Sequence, residues 1–300
     1  MLDGADPFQW GRLMSDLAPQ LVGCRFTAAA VETALLDLVG RALDLPVSAV
    51  LGGRYRDSIE VHGSVGWDED PDTMVAAATA HAQRFHALKL YAGRGELDAD
   101  LDRLDTVRAA VGESHPFLVD VNGQWTPMDA MRAAPRLQAA GVVLVEQPVA
   151  PGDEAGMAEV TRRLGEYGID VAADESVLCA AEVFPLVQHR AARVVNVGLS
   201  KLGGPATARD VATVASSAGA TVMLGSVVEL NVAAAAGLQL AAALPALAYP
   251  SYLMGPLKYT RQIAQPELAL VDGRLDVPSG PGLGIDVDVD AVAGMDLRRR

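Results

Sequence analysis

Three acidic residues each close a short apolar run: Asp120 in FLVDVN, Glu146 in VVLVEQP and Asp174 in IDVAADES. They lie 26 and 28 residues apart, the length of one strand-loop-helix-loop unit. If each run is a parallel strand, all three carboxylates emerge at the same ends of neighbouring strands. Converging carboxylates repel one another unless positive charge sits among them, and a hard divalent cation with oxygen ligands supplies it. A single acid at a strand end is usually a helix cap or a loop salt bridge. Three in successive units point instead to a metal site, and the chain reads as a metal-dependent α/β barrel enzyme.

The elements that would position these acids recur at near-constant intervals. The apolar runs are IEVHGSVG from Ile59, ALKLY from Ala87, FLVDV from Phe117, VVLVE from Val142, IDVAA from Ile169, RVVNV from Arg193, TVML from Thr221 and ALAY from Ala246. Helix patterns fill the gaps. Leu97, Leu101, Leu104, Val107 and Val111 form a stripe closed by Gly112, and Thr126-Pro127-Met128-Asp129 offers an N-cap, a proline at N1 and an acid at N3. Gly141, Gly168 and Gly219 end further helices. Eight runs fit a (β/α)8-type barrel better than an open dinucleotide-binding sheet, and no Gly-x-Gly-x-x-Gly follows the first run. In such a barrel the C-terminal strand ends form the active face, where the three acids fall. The segment before Pro46 is predicted helical, with Val31, Leu35, Leu38 and Ala42 on its apolar face and Glu32, Asp37 and Arg41 between them.

Composition narrows the function classes. The 300 residues are half hydrophobic and carry a net charge of −14, which argues against nucleic acid and anionic membrane surfaces as partners. A carboxylate substrate would need local positive charge. Cys24 and Cys179 are expected to be buried free thiols in a cytoplasmic protein. The opening MLDGADPFQW lacks the basic start of a signal peptide. The alanine-rich stretch Val232 to Tyr249, interrupted by Gln239 and Pro245, reads as a buried barrel helix in a soluble chain. Of the five scattered histidines, His62 falls on the first run, where a structural role is favoured over one lining the barrel mouth. No His-x-x-x-His or Cys-x-x-Cys pair supports zinc. Asp286, Asp288 and Asp290 alternate like an EF-hand opening, but Ala291 and Leu297 stand where Gly and Glu are required. The Arg298–Arg300 tail reads as a solvated end.

From about Phe26 to Asp290 the chain resembles the enolase superfamily, in the branch containing mandelate racemase and muconate lactonizing enzymes. The resemblance rests on ETALLDLVGRALDLPVSAVLGG, LVDVNGQW, VEQP, ADES, KLGG, LGSVVE and PGLGI in that order. It implies a modified TIM barrel of (β/α)7β type with a capping domain, of which this chain would hold only a partial helical segment. The expected division is 1–55 for capping helices and linker, 56–280 for the barrel, and 281–300 for a segment packing back on the capping region. It also implies Mg²⁺, with Mn²⁺ as an alternative, on Asp120, Glu146 and Asp174, with Asn122 and Glu175 behind them. The reaction implied is abstraction of a proton α to a carboxylate, the superfamily's familiar ene-diolate chemistry.

Two departures from the family pattern shape the expectation. Where relatives carry Lys-x-Lys on the second strand, this chain has Lys89-Leu90-Tyr91, so Lys89 would polarise the carboxylate and Tyr91 stands at the base position as base or as filler. The opposite base should fall five residues before Gly203, at Gly198, which has no side chain; Lys201 lies nearby but outside that slot. Racemisation or epimerisation needs two carriers and is the weakest reading. Elimination or cycloisomerisation of a small carboxylate is favoured, with a metal-binding, catalytically silent relative as the alternative. Glu229 corresponds to a family glutamate that aligns substrate, and a loop salt bridge is an equal expectation. The strands that normally begin the capping domain have no counterpart, so the barrel is expected to lack its lid. Self-association fits the family.

Overall fold

A computed structural model describes residues 2–295. Seven short strands pair in parallel in chain order: β1 (Gly63–Val65), β2 (Leu88–Tyr91), β3 (Phe117–Asp120), β4 (Val142–Glu146), β5 (Asp170–Ala173), β6 (Val194–Val197) and β7 (Thr221–Leu224). Helices cover the outside of the sheet, so the strands are buried on both faces and read as nearly continuous apolar runs. Closure comes from residues 248–252. Ala248 and Tyr252 donate backbone hydrogen bonds to Val222 and Leu224 on one side, while Ser251 donates to Glu60 and accepts from His62 on the other. The expected eighth run therefore closes the barrel, two residues later than ALAY and without becoming a regular strand. The first run divides in two: Ser58–Glu60 pairs antiparallel with Arg274–Asp276 outside the barrel, and only Gly63–Val65 joins it.

Inside the barrel, Ala87, Leu118, Leu144, Ala172, Val194 and Met223 form one apolar layer. Successive strand residues point to opposite faces, so residues two further along point inward again. Those positions are Lys89, Asp120, Glu146, Asp174, Asn196 and Gly225. A polar ring thus sits one layer above an apolar floor.

The helix Pro127–Ala139 starts as its sequence requires, with the Thr126 hydroxyl accepting from the Asp129 backbone N–H. The alanine-rich helix is Asn231–Ala243 and is largely buried. No helix among the described residues is long and apolar enough to cross a membrane.

The long N-terminal helix, Arg25–Leu43, turns a different face inward from the one expected. Glu32, Leu35, Leu36 and Val39 are buried, whereas Leu38 and Ala42 are exposed. Glu32 explains the rotation. Its carboxylate accepts from the Ala206 and Thr207 backbone N–H groups and from the Thr207 hydroxyl, filling the N-terminus of the helix Pro205–Ser217. Burial raises its pKa, and these donors pull the other way. Gly204, at φ +141, leaves the room: a Cβ there would stand 2.1 Å from Glu32 Oε2.

Contacts from the far end of the chain reach the same helix. Leu283 N–H donates to Asp37, and Arg41 reaches the Ile285 carbonyl and the Asp286 carboxylate. Cys24 and Cys179 are free but exposed, contrary to expectation. Both precede helical turns at the surface, where no apolar layer covers them. Leu297 and the Arg298–Arg300 tail lie outside the described residues.

Candidate active site

A cavity of about 280 Å³ opens above the polar ring, lined by Lys89, Tyr91, Asp120, Glu146, Asp174 and Tyr252, with Asn122, Glu175, Lys201 and Glu229 around them. Every candidate site residue named from the sequence, from Lys89 to Glu229, is brought here. A larger groove of about 690 Å³ lies between the N-terminal helices and the barrel. Its charged residues are Arg25, Glu32 and Asp210, of which Glu32 is committed to capping a helix. The smaller cavity is where reactive groups converge.

Lys89, 3% exposed, sits between two carboxylates, with Nζ 2.7 Å from Asp120 Oδ2 and 2.9 Å from Glu146 Oε2. Burial alone would favour the neutral amine, but Asp120 and Glu146 outweigh it and hold Lys89 charged well above the ordinary lysine range. For Glu146, burial pushes the carboxyl pKa up, Lys89 pulls it down, and Asp120 and Asp174 push it up again; the net shift is upward. Asn196 Nδ2 donates to the other Glu146 oxygen at 2.8 Å. That contact requires Gly225, where a Cβ would come within 2.3 Å of Asn196 Oδ1.

Lys201 belongs to the site too. Its Nζ donates to the Asp174 carboxylate at 2.5 Å and to the Asp174 carbonyl at 2.7 Å. Its place beside the paired glycines brings it to the third acid, across the ring from Lys89. Gln147, buried and at φ +38, accepts from the Asp174 and Ser176 backbone N–H groups through Oε1 and so fixes the loop carrying Asp174. Behind the acids, Asn122 N–H donates to Asp120 Oδ1 and Asn122 Nδ2 donates to Glu175 Oε1 at 3.2 Å. Burial, then Asp174, raises the Glu175 pKa. Glu229 makes no salt bridge among the described residues; the Ser200 hydroxyl donates to it at 2.6 Å, and the Ser226 hydroxyl also engages it.

Tyr91 is half-buried at the pocket wall, and Lys89 Nζ lies 5.6 Å from its ring centroid. Burial raises its pKa above the usual tyrosine range; Lys89 opposes this, and Tyr252, Asp120 and Glu146 add to it. Gly198 lines the opposite wall without a side chain. His62 is fully buried, neither ring nitrogen finding a hydrogen-bond partner, and its ring stacks on Tyr252 at 5.2 Å and 3°. Burial, then the Lys89 charge, lowers its pKa to about 3, so it is a neutral structural ring and not a proton carrier.

As they stand, no three His, Cys, Asp or Glu side chains among the described residues are grouped so as to hold a metal ion. Two lysine ammonium groups occupy that electrostatic role. The donor chemistry nevertheless suits a hard cation: the carboxylates of Asp120, Glu146 and Asp174 line one cavity, and with Glu175 and Glu229 beside them its acids outnumber its two lysines.

Comparison with known proteins identifies the family and the fold. Residues 73–292 match the enolase C-terminal domain-like family. The chain belongs to the mandelate racemase and muconate lactonizing enzyme branch of the enolase superfamily. It is 31% identical over 292 residues to a chloromuconate cycloisomerase of Pseudomonas putida, covering 97% of this chain and 78% of that relative. It is 34% identical to muconate cycloisomerase 1-2 of Acinetobacter lwoffii, covering 97% and 75%. The fold superposes with a TM-score of 0.90 on the muconate lactonizing enzyme of Pseudomonas fluorescens complexed with muconolactone, at 32% identity, covering 96% of this chain and 77% of that one. The chain thus spans about three quarters of the length of these superfamily relatives.

Sequence reasoning missed Asn196, Gln147 and Tyr252. A signal existed for Asn196, a lone amide inside the apolar run RVVNV, two residues beyond an inward Val194. Tyr252 had none, because the closing segment forms no regular strand and its inward phase is not readable from alternation.

Proposed function

We propose that this superfamily member catalyses cycloisomerisation of a small unsaturated carboxylate through an enediolate, with Asp120, Glu146 and Asp174 holding Mg²⁺ or Mn²⁺. The observation that carries this reading is Lys89, a buried ammonium at the cavity floor shared by two of the three acids. A proton α to a carboxylate is weakly acidic because its loss puts a second charge on an anion. A bound divalent ion would supply Lewis-acid stabilisation of that charge at the carboxylate oxygens. Lys89 would bind the same carboxylate and stabilise the dianion as it forms. Glu229, fixed by its serine donors, would align the far end of the substrate. The proton carrier favoured here is a tyrosine on the Lys89 side, Tyr91 or its neighbour Tyr252, because on the other side Gly198 has no side chain and Lys201 is engaged by Asp174. Elimination shares the enediolate; racemisation needs a second carrier and is disfavoured. The relatives' names make muconate and chloromuconate the first substrates to try. We further propose a cytoplasmic, self-associating protein.

A silent, metal-binding relative is the second reading, favoured by Gly198 and by the ammonium groups already neutralising the acids. The two separate in one assay. Incubation with muconate and Mg²⁺ is expected to bleach the conjugated-diene absorbance and yield a lactone. The activity should disappear with chelator and in Asp120→Asn. A folded, Mg²⁺-binding protein that leaves muconate and chloromuconate untouched would refute catalysis of this reaction.

A further inference from the structure

Lys89 Nζ lies between two tyrosine rings, 5.6 Å from the centroid of Tyr91 and 5.7 Å from that of Tyr252. A carboxylate held by Lys89 has its α-carbon two bonds from the bound oxygen, within the space both rings border. The two tyrosines differ in what holds them. Tyr252, on the closing segment, is 4% exposed and clamped by its stack on the neutral His62 ring. Its hydroxyl accepts a hydrogen bond from Lys258 Nζ at 3.1 Å. That lysine ends the short helix Gly255–Lys258 and is itself exposed. With the ammonium donating to the phenol oxygen, the phenol's own proton is free to point elsewhere. No ammonium hydrogen-bonds the Tyr91 hydroxyl among the described residues; Lys89 faces its ring.

Building on the cycloisomerase reading above, we propose that the proton carrier at the α-carbon is the Tyr252 hydroxyl, with Lys258 as its positioning residue. In the lactone-forming direction a substrate carboxylate oxygen bonds to the conjugated alkene, and the π electron pair becomes the enediolate. Tyr252 O–H then gives its proton to the α-carbon, the enediolate pair forming the new C–H bond. The phenolate left behind is stabilised by Lys258 and takes one proton from water, which balances the conversion of a dicarboxylate to a monoanionic lactone. In reverse the phenolate removes the α-proton as the ring C–O bond breaks. Two ammonium groups, Lys89 on the substrate and Lys258 on the tyrosine, each meet a charge that develops only during reaction.

The test compares four single variants and one double variant of the intact protein with muconate and Mg²⁺. Tyr252→Phe keeps the ring stack and is expected to lower kcat about 100-fold or more with KM little changed. Tyr91→Phe should lose less than about 10-fold. Lys258→Met should lower kcat about 10-fold in the wild-type background and have no effect in Tyr252→Phe, because the two act as one unit. Lys258→Arg should restore most of the loss. Lys258 is exposed, so its variants test the idea even if Tyr252→Phe is poorly folded. Full turnover in Tyr252→Phe, or equal cost of Lys258→Met in both backgrounds, overturns this assignment while leaving the cycloisomerase reading intact. Absence of wild-type turnover overturns both.

Discussion

The ends of β3, β4 and β5 and the strands flanking them obey different rules. On the three acid-bearing strands each carboxylate has a fixed partner: Lys89 and the Asn122 N–H for Asp120, Lys89 and Asn196 for Glu146, and Lys201 for Asp174. On the flanks the reactive positions are loosely filled. The Tyr91 ring faces Lys89, Gly198 has no side chain, and Tyr252 comes from an irregular segment. Charge binding and proton transfer are therefore separable parts of one barrel. A metal and carboxylate site needs a rigid ring, whereas the proton carrier needs only one well-placed oxygen and can come from whichever strand supplies it.

The largest effect should come from breaking the ring. Glu146→Gln removes a carboxylate shared with Lys89 and is expected to abolish both Mg²⁺ binding by calorimetry and turnover. Retained metal affinity would move the binding site elsewhere. Lys89→Met leaves Asp120 and Glu146 buried without their ammonium, costing about 3–5 kcal/mol in denaturant unfolding without metal. Mg²⁺ should restore part of this stability, sharpening the equivalence of ammonium and metal; no rescue would show that the two do not share a place.

The smallest effect probes the flank. His62 is held neutral, with its pKa lowered to about 3 from an ordinary 6.5. The unfolded chain takes up a proton below pH 6.5 and the folded one does not, so the stability it contributes is present above 6.5 and drains as pH falls toward 3. The folded protein should lose about 3 kcal/mol between pH 7.5 and 4.5 through this group. His62→Phe, which keeps a ring against Tyr252, should flatten that part of the pH–stability curve; an unchanged curve would mean that His62 protonates in the folded state.

Much of the ring was legible because alternation is strict on regular strands. Asp120, Glu146 and Lys89 follow from the apolar residues two positions earlier, and Asp174 continues the same phase just beyond β5. The N-terminal helix was misread because Glu32, polar in type, is buried as a cap for a helix more than 170 residues away. Local periodicity carries no trace of such a partner. The cysteines were misplaced for a related reason: residue type favours burial, but both fall at helix starts on the surface. Tyr252 was invisible because closure of the barrel depends on hydrogen bonds that Ser251 and Tyr252 donate to the Glu60 and Leu224 carbonyls, not on its own pattern.

The most direct measurement of α-proton chemistry is deuterium exchange into muconolactone, followed by NMR in D₂O with the intact protein and Mg²⁺. Loss of the α-proton signal that requires Mg²⁺, persists in Tyr91→Phe and stops in Asp120→Asn is the predicted result. A lactone whose α-proton stays put, in the presence of folded protein with Mg²⁺ bound, would contradict the account.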